Sequence, residues 1–284
     1  MLAVAVILAA LTLTLLVMFV VRQQQRALDV SKAPGVGLAR IDAALAAFVT
    51  QYRRLPCPAR GSIASGALTA GRESIDLTTG QCLPANQLDG VVPWSTLGLT
   101  ETDGLDPWSA RISYRVQPSL ASNLLVLMNM SWCDPAASAA GTPSSSLACK
   151  SPCSGNACTH PNTYLYAKGL QVKDASGAWL NQPAPPWPGA PAALPPKASG
   201  AAYVLLTHGP NGAGAFNAAG VLQAGAPGSA ELGNRNGQAL TAATVFTEQA
   251  RNDTSGPAYF DDLLSHPTLT ALLEAAALGA RTPH

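Results

Sequence analysis

The six cysteines and four histidines are the residues of this chain with most to offer chemically. Cys57 and Cys82 flank a polar stretch of 24 residues. A bridge between them would remove about 3 kcal/mol of loop entropy from the unfolded chain. Cys133, Cys149, Cys153 and Cys158 form a second group, for which sequence leaves three pairings open. Cys149, Cys153, Cys158 and His160 could instead hold zinc. Their C-x3-C-x4-C-x-H spacing departs from the C-x2-C pairs of structural zinc knuckles. Bridges in an oxidising compartment are therefore the expectation for all six, with no metal and no cofactor.

The histidines are His160, His208, His266 and His284, scattered through loop-like sequence or at the terminus. His208-Gly209 imitates an oxyanion-hole phrase of hydrolases, yet no G-x-S-x-G elbow supplies a nucleophile. Asp103 with Asp106, and Asp261 with Asp262, could act as carboxylate pairs in acid–base work. Nothing in the sequence sets their partners, and Asp106 reads better as the cap of a turn at Pro107. No P-loop, dinucleotide fingerprint or haem motif occurs. The chain is expected not to be an enzyme. A tethered periplasmic hydrolase is the weakest of three readings.

The elements that must position these residues begin with Met1 to Val21, a run without a charge, Gly or Pro. As a helix its 21 residues would reach roughly 31 Å, the thickness of a bilayer's hydrocarbon. It lacks the basic start and small-residue cleavage site of a secretory signal, so retention is expected. Leu2, Val6, Leu13, Leu16 and Phe19 are the residues expected to pack this run against its neighbours. Arg22, Arg26, Lys32 and Arg40 all follow the run, which by the positive-inside rule places that side in the cytoplasm. The cysteines point the other way. A basic leader upstream of Met1 would remove the conflict.

Residues 22–54 are expected to continue the helix, with a break near 33–37 at Pro34, Gly35 and Gly37. Leu38, Ile41, Leu45, Phe48, Val49 and Tyr52 then recur at three and four residues, an amphipathic stripe that ends before Pro56. Residues 55–284 form the head. Ile112-Tyr114-Val116 read as a half-buried strand. Leu124 to Met130, Tyr164 to Ala167, Tyr203 to Leu206 and Thr244 to Thr247 are further strand candidates. Leu269, Leu272, Leu273 and Ala276 predict a closing helix. A Cys-rich insertion occupies about 130–160 and a Pro-rich loop 183–196, whose seven prolines favour an extended connector. Residues 209–237 hold eight glycines and are expected to form a long mobile loop, with Asn211-Gly212 as a turn.

With 284 residues, 17 Lys+Arg against 16 Asp+Glu and a net charge of +1, the chain has no excess positive charge for a nucleic-acid partner. Its 48% hydrophobic content excludes a disordered chain.

The opening Met1-Leu2-Ala3-Val4-Ala5-Val6-Ile7-Leu8 resembles the N-terminal helix of type IV pilins and type II secretion pseudopilins, immediately after that family's conserved Glu. The Gly-Phe cleavage junction and the Glu themselves are absent from this chain. Three further phrases carry the resemblance. The amphipathic stretch 38–54 closes in Tyr and Pro. Asp106-Pro107-Trp108 precedes Tyr114 as in the family's D-P-W-G turn, with Ser109 in place of Gly. Tyr203 to Leu206 lead into Thr207-His208-Gly209-Pro210-Asn211-Gly212, which is similar to the family's strand and Ser-x-Gly-x-Asp/Asn-Gly loop, and Phe260-Asp261-Asp262-Leu263-Leu264 resembles its late D-D-I/L strand. The resemblance implies an α+β fold, a long N-terminal helix (membrane-spanning, then amphipathic) packed on a mainly antiparallel β-sheet head. It implies a structural subunit, a minor pilin or pseudopilin, of a type IV pilus or type II secretion-like filament. Other such subunits and an inner-membrane assembly platform are the partners expected. The expected placement is single-pass in the inner membrane, the head in the periplasm or on the cell surface. An adhesin or binding module on the same anchor is the alternative. Some pseudopilins hold calcium near a C-terminal loop; by resemblance Asn211, Asp261 and Asp262 fall there, too few oxygens for a calcium ion.

Overall fold

The computed structural model describes residues 35–83, 90–121, 169–182, 200–238, 240 and 244–278. Helix α1 covers 35–52. Its Leu38, Ile41, Leu45 and Val49 are buried at three- and four-residue spacing, while Ala39, Arg40, Ala43 and Ala47 are exposed. Gly35 and Gly37 lie inside the helix with open space around them. The helix stops two residues earlier than its stripe suggests, because Arg53 takes a left-handed φ of 57°. Tyr52 is consequently half-exposed and stacks on Phe48 at 4.4 Å.

Short strands follow: β1 Ala59–Arg60, β2 Gly90–Val91, β3 Ala110–Arg111, β4 Ser113–Val116, β5 Gln171–Asp174, β6 Trp179–Asn181, β7 Tyr203–Thr207, β8 Phe216–Asn217, β9 Val245–Glu248 and β10 Leu263–Ser265. Two short helices complete the described set, α2 Pro118–Ala121 and α3 Leu269–Ala275, the second capped by the Thr268 side chain on Ala271 N. The main sheet runs β1-β2-β4-β7-β10, antiparallel throughout, with Tyr114 opposite Leu205 and Leu264 opposite Leu206.

Strand β7 lies inside this sheet and is covered on both faces. Tyr203 and Leu205 pack towards Ile41, Leu45, Tyr114 and Leu272. Val204 and Leu206, pointing the opposite way, join Val172, Phe246, Phe260 and Leu264. The second layer is a separate sheet ordered β6-β5-β9, in which β5 and β9 run parallel. The strand at 113–116 is therefore wholly buried rather than half-buried.

Near the end of α1, Arg54 grips both oxygens of Glu73 at 2.7 and 2.8 Å, and Glu73 also accepts the Cys57 amide at 2.9 Å. This clasp aligns the segment that carries the Cys57–Cys82 disulfide, whose Cα atoms are 5.3 Å apart. That pair is the one the loop-length argument favours. Cys133, Cys149, Cys153 and Cys158 lie outside the described residues, as do residues 1–34 with Leu2, Val6, Leu13, Leu16 and Phe19.

The expected fold class is corrected. Among the described residues α-helix is confined to 35–52 and two short segments, with 3-10 turns at Glu101–Gly104 and Glu231–Gly233, and no helix is long and apolar enough to cross a membrane. The head is three small sheets, one of them containing a parallel pair, in place of a single antiparallel sheet under a long helix. The spanning part of that expectation rested on 1–21, which lie outside the described residues, and α1, amphipathic with Arg40, Thr50 and Gln51 exposed, does not supply a span in their place. The single-pass inner-membrane placement is corrected by the same finding.

Candidate functional site

Strand β7 delivers His208 to the end of the main sheet, and the chain then turns through Gly209, whose φ is 54°. A Cβ at Gly209 would sit 2.4 Å from the Asp261 carboxyl carbon, so only glycine lets the turn lie against the residues that precede β10. In the turn, Asn211 N donates to Asp261 Oδ2 at 3.0 Å and Asn211 Nδ2 to Glu231 Oε2 at 3.2 Å. Glu231 opens the 3-10 turn Glu231–Gly233. Its Oε1 accepts the Asp261 amide at 2.7 Å and its Oε2 the Gly228 amide at 2.8 Å. Tyr259 OH donates to Asp261 Oδ2 at 2.7 Å, and Asn234 Nδ2 to Asp262 Oδ2 at 2.8 Å.

The result is three buried carboxylates, Glu231, Asp261 and Asp262, each offering an oxygen within 4.8 Å of the other two. Burial pushes Asp262 well above the ordinary carboxylate range, against the Asn234 hydrogen bond and aided by the charges of Glu231 and Asp261. Glu231 is raised for the same first cause. Asp106, in the turn before β3, stands near enough to feel Asp261; burial chiefly, then that charge, raises it to about 6.

A second set lies behind the carboxylates. Asn236 Nδ2 donates to Ser113 Oγ at 2.7 Å, and Ser113 Oγ shares a hydrogen bond with His208 Nε2 at 2.8 Å whose direction follows the ring's tautomer. His208 Nδ1 faces Asp262 Oδ1 at 3.8 Å, beyond hydrogen-bond reach. Ser113, His208 and Asp262 thus follow the order of an acyl-transfer triad. The arrangement does not suit catalysis. Ser113 and His208 are both 0% exposed, and Ser113 lies within β4 between β2 and β7. Burial, with the nearby Arg115 charge, lowers His208 to about 3, which leaves it a poor base at neutral pH. The set acts as a hydrogen-bonded floor under the carboxylates.

The sequence pairs fare differently. Asp261 and Asp262 stay together and meet Glu231. Asp106 caps its turn as expected, accepting Trp108 N at 3.0 Å and Ala110 N at 2.8 Å. Asp103 is elsewhere, bonded to Thr100 and Arg40. His266 is held between Asn181 and Glu248, joining β10 to the second layer. His160, His284 and Trp187 lie outside the described residues. Alanines make up half the lining of a cleft of about 520 Å³ between α1 and α3; its one acid, Asp42, already accepts bonds from Tyr203 and Ser265. Glu231 is the residue sequence reasoning missed. The signal was available: it is the lone carboxylate in 209–237. That segment is no mobile loop, since Ala213, Ala215, Phe216, Glu231, Asn234 and Asn236 in it are buried.

Calcium, which the pseudopilin resemblance brings up, can be tested on these residues. Ions of that kind bind oxygen at about 2.3–2.6 Å, so oxygens on opposite sides of one ion are about 5 Å apart. The spacing here agrees with that, and Asp261 Oδ1 is buried with no hydrogen-bond partner. The residues fit. Comparison with protein-family models, with curated proteins and with solved structures finds no match.

Proposed function

We propose that this chain is a structural subunit, a minor one, of a filament of the type IV pilus or type II secretion kind. Its apolar run 1–21 would assemble against the same run of sister subunits. The observation that carries this reading is the use made of α1. Its stripe of Leu38, Ile41, Leu45 and Val49 is consumed by the head's own core together with Tyr203, Leu205 and Leu272. The head therefore satisfies its apolar helix internally. The apolar run of Met1 to Val21 would then be available to pack against a sister subunit. Among the described residues the Ser113–His208–Asp262 alignment is sealed from solvent, which supports a structural role for it.

The large head, and the insertions at 130–160 and 183–196, favour a minor rather than a repeating subunit, since each would have to fit a lattice many times over. The test is a photo-cross-linking residue at position 19 in the full chain, in place of Phe19, expressed in a host with a filament assembly platform. A ladder at multiples of 29.0 kDa, or a cross-link to a pilin-type subunit, is expected. Cross-links to lipid alone, with none to such subunits, refute the proposal.

A further inference from the structure

We propose that residues 22–32 of this chain turn back at Pro34–Gly35 and lie along the cleft between α1 and α3, with the Arg26 guanidinium against the Asp42 carboxylate. The contact is made within one chain and leaves the run 1–21 free, so it and the filament reading can fail separately.

Four observations lead to it. First, the cleft, of about 520 Å³, is an open apolar surface with one charged residue at its end. Ala43, Ala47, Ala271 and Ala275 are exposed along it, and side chains this small let a second backbone come close. Second, Asp42 is desolvated without being neutralised. Its oxygens take one hydrogen bond each, from Tyr203 at 2.7 Å and from Ser265 at 2.8 Å, and among the described residues no cation forms a salt bridge with it. Burial holds its carboxyl above the ordinary value in spite of both bonds. Each carboxylate oxygen still has a lone pair for another donor. Third, the start of α1 suits a reversal of the chain. Pro34 disfavours helix at Ala33, and Gly35 and Gly37 occupy the first turn although a Cβ at either would meet nothing within 4 Å. Packing does not ask for glycine there, and each costs a helix about 1 kcal/mol against alanine. Freedom to turn a corner is the use left for them. Fourth, the sequence before the corner is complementary. Residues 22–32 carry Arg22, Arg26 and Lys32 against one acid, Asp29, with Ala27, Leu28 and Val30 beside Arg26.

Counting sets the register. Two antiparallel helices joined by a short loop rise equally from it, so a corner at Pro34–Gly35 brings Arg26 level with Ala43 and Ala27 level with Asp42. Asp29 comes level with Arg40, so the charges match at both places. Arg22 comes level with Ala47, and the aliphatic stems of Arg22 and Arg26 can lie on the alanines while their heads reach water or Asp42. In one uninterrupted helix, by contrast, the sixteen positions between Arg26 and Asp42 would hold them about 24 Å apart. No side chain bridges that distance. The fold-back would therefore fasten the base of the head beside the end of the apolar run, instead of carrying it at the tip of a long rod.

The experiment uses the full chain in a mild detergent, carrying A27C and A43C. The fold-back brings these positions together, whereas a straight helix keeps them about 24 Å apart. A disulfide needs Cα atoms within about 7 Å of each other. After mild oxidation, peptide mapping of the monomer should find positions 27 and 43 bridged in most chains, identified apart from the six native cysteines. Adding R26Q should slow the bridge about fivefold, the upper range for a partly exposed ion pair, and R26K should restore much of the rate. R26Q leaves the described residues untouched, so an unchanged circular dichroism spectrum separates a lost contact from a lost fold. P34A/G35A/G37A, which favours an unbroken helix, should abolish the bridge. The proposal is overturned if no bridge forms between positions 27 and 43. It is equally overturned if that bridge joins two chains, which would make a second copy the occupant of the cleft, or if R26Q bridges as fast as the chain with Arg26.

Discussion

Replacing Asp106 with asparagine should stabilise the fold at neutral pH and do little at pH 4. Asp106 is 7% exposed, and its Oδ2 has no hydrogen-bond partner. Burial first, then repulsion from Asp261, raise it from 3.8 to about 6. A carboxyl raised in the folded state holds its proton more tightly there than in the unfolded chain. Its contribution is thus fully favourable below pH 3.8 and is lost as pH rises through 6. That rise of about two units corresponds to about 3 kcal/mol at neutral pH. Asparagine keeps an acceptor for the Trp108 and Ala110 amides but gives up the charge assistance, at a cost of about 1 kcal/mol. The net gain expected for D106N is about 2 kcal/mol at pH 7.5, shrinking to nothing or slightly below at pH 4. Urea denaturation of both chains at the two pH values, in EDTA to remove any cation near Asp261, reads the difference directly. A D106N chain that is less stable by the same amount at both pH values would refute the reasoning. It would mean that the turn needs a charged cap more than it resents a buried charge.

Three other outcomes can be checked by the same denaturation assay. Ser109 has a left-handed φ of 64° in the position where the pseudopilin turn carries glycine, so S109G should gain up to about 1 kcal/mol; no gain would show the turn to be unstrained. Replacing Cys57 and Cys82 together with alanine should cost about 3 kcal/mol, since they lie 25 positions apart, and the loss should match that caused by a reductant in the unaltered chain. Introducing a Cβ at Gly209 meets the Asp261 carboxyl at 2.4 Å and forces a left-handed alanine, so G209A should lose more than about 1 kcal/mol; a smaller loss would show that the turn can shift away from Asp261.

Several elements were legible in the sequence because they depend on local pattern. The α1 stripe follows from a 3.6-residue period, and the Tyr203–Thr207 strand from a continuous apolar run. The closing helix at Leu269–Ala275 and the Val245–Glu248 strand were found within a residue or two. The Cys57–Cys82 bridge was legible because these two flank one polar loop, apart from the cluster of the other four cysteines. Expectations failed where tertiary contacts outweigh pattern. The half-buried reading of 112–116 failed because a second sheet, β6-β5-β9, helps to cover the main sheet's other face. The long helical architecture is not found among the described residues: the run 1–21 that was to span lies outside them, and α1 ends at residue 52, where Arg53 turns left-handed.

Local pattern alone marked the amphipathic segments, the turns that interrupt them, and Cys57 and Cys82 as a pair apart from the other four cysteines. These are matters of periodicity and short-range chain geometry. Only the tertiary structure decided that Glu231 meets Asp261 and Asp262 across 30 residues, and that Ser113 closes on His208 across 95. Neither meeting has a periodic or local signature. A glycine-rich segment looks mobile when read in order, because its permissive backbone says nothing about destination. Once folded, that same permissiveness at Gly209 allows the close approach on which the buried carboxylate cluster depends.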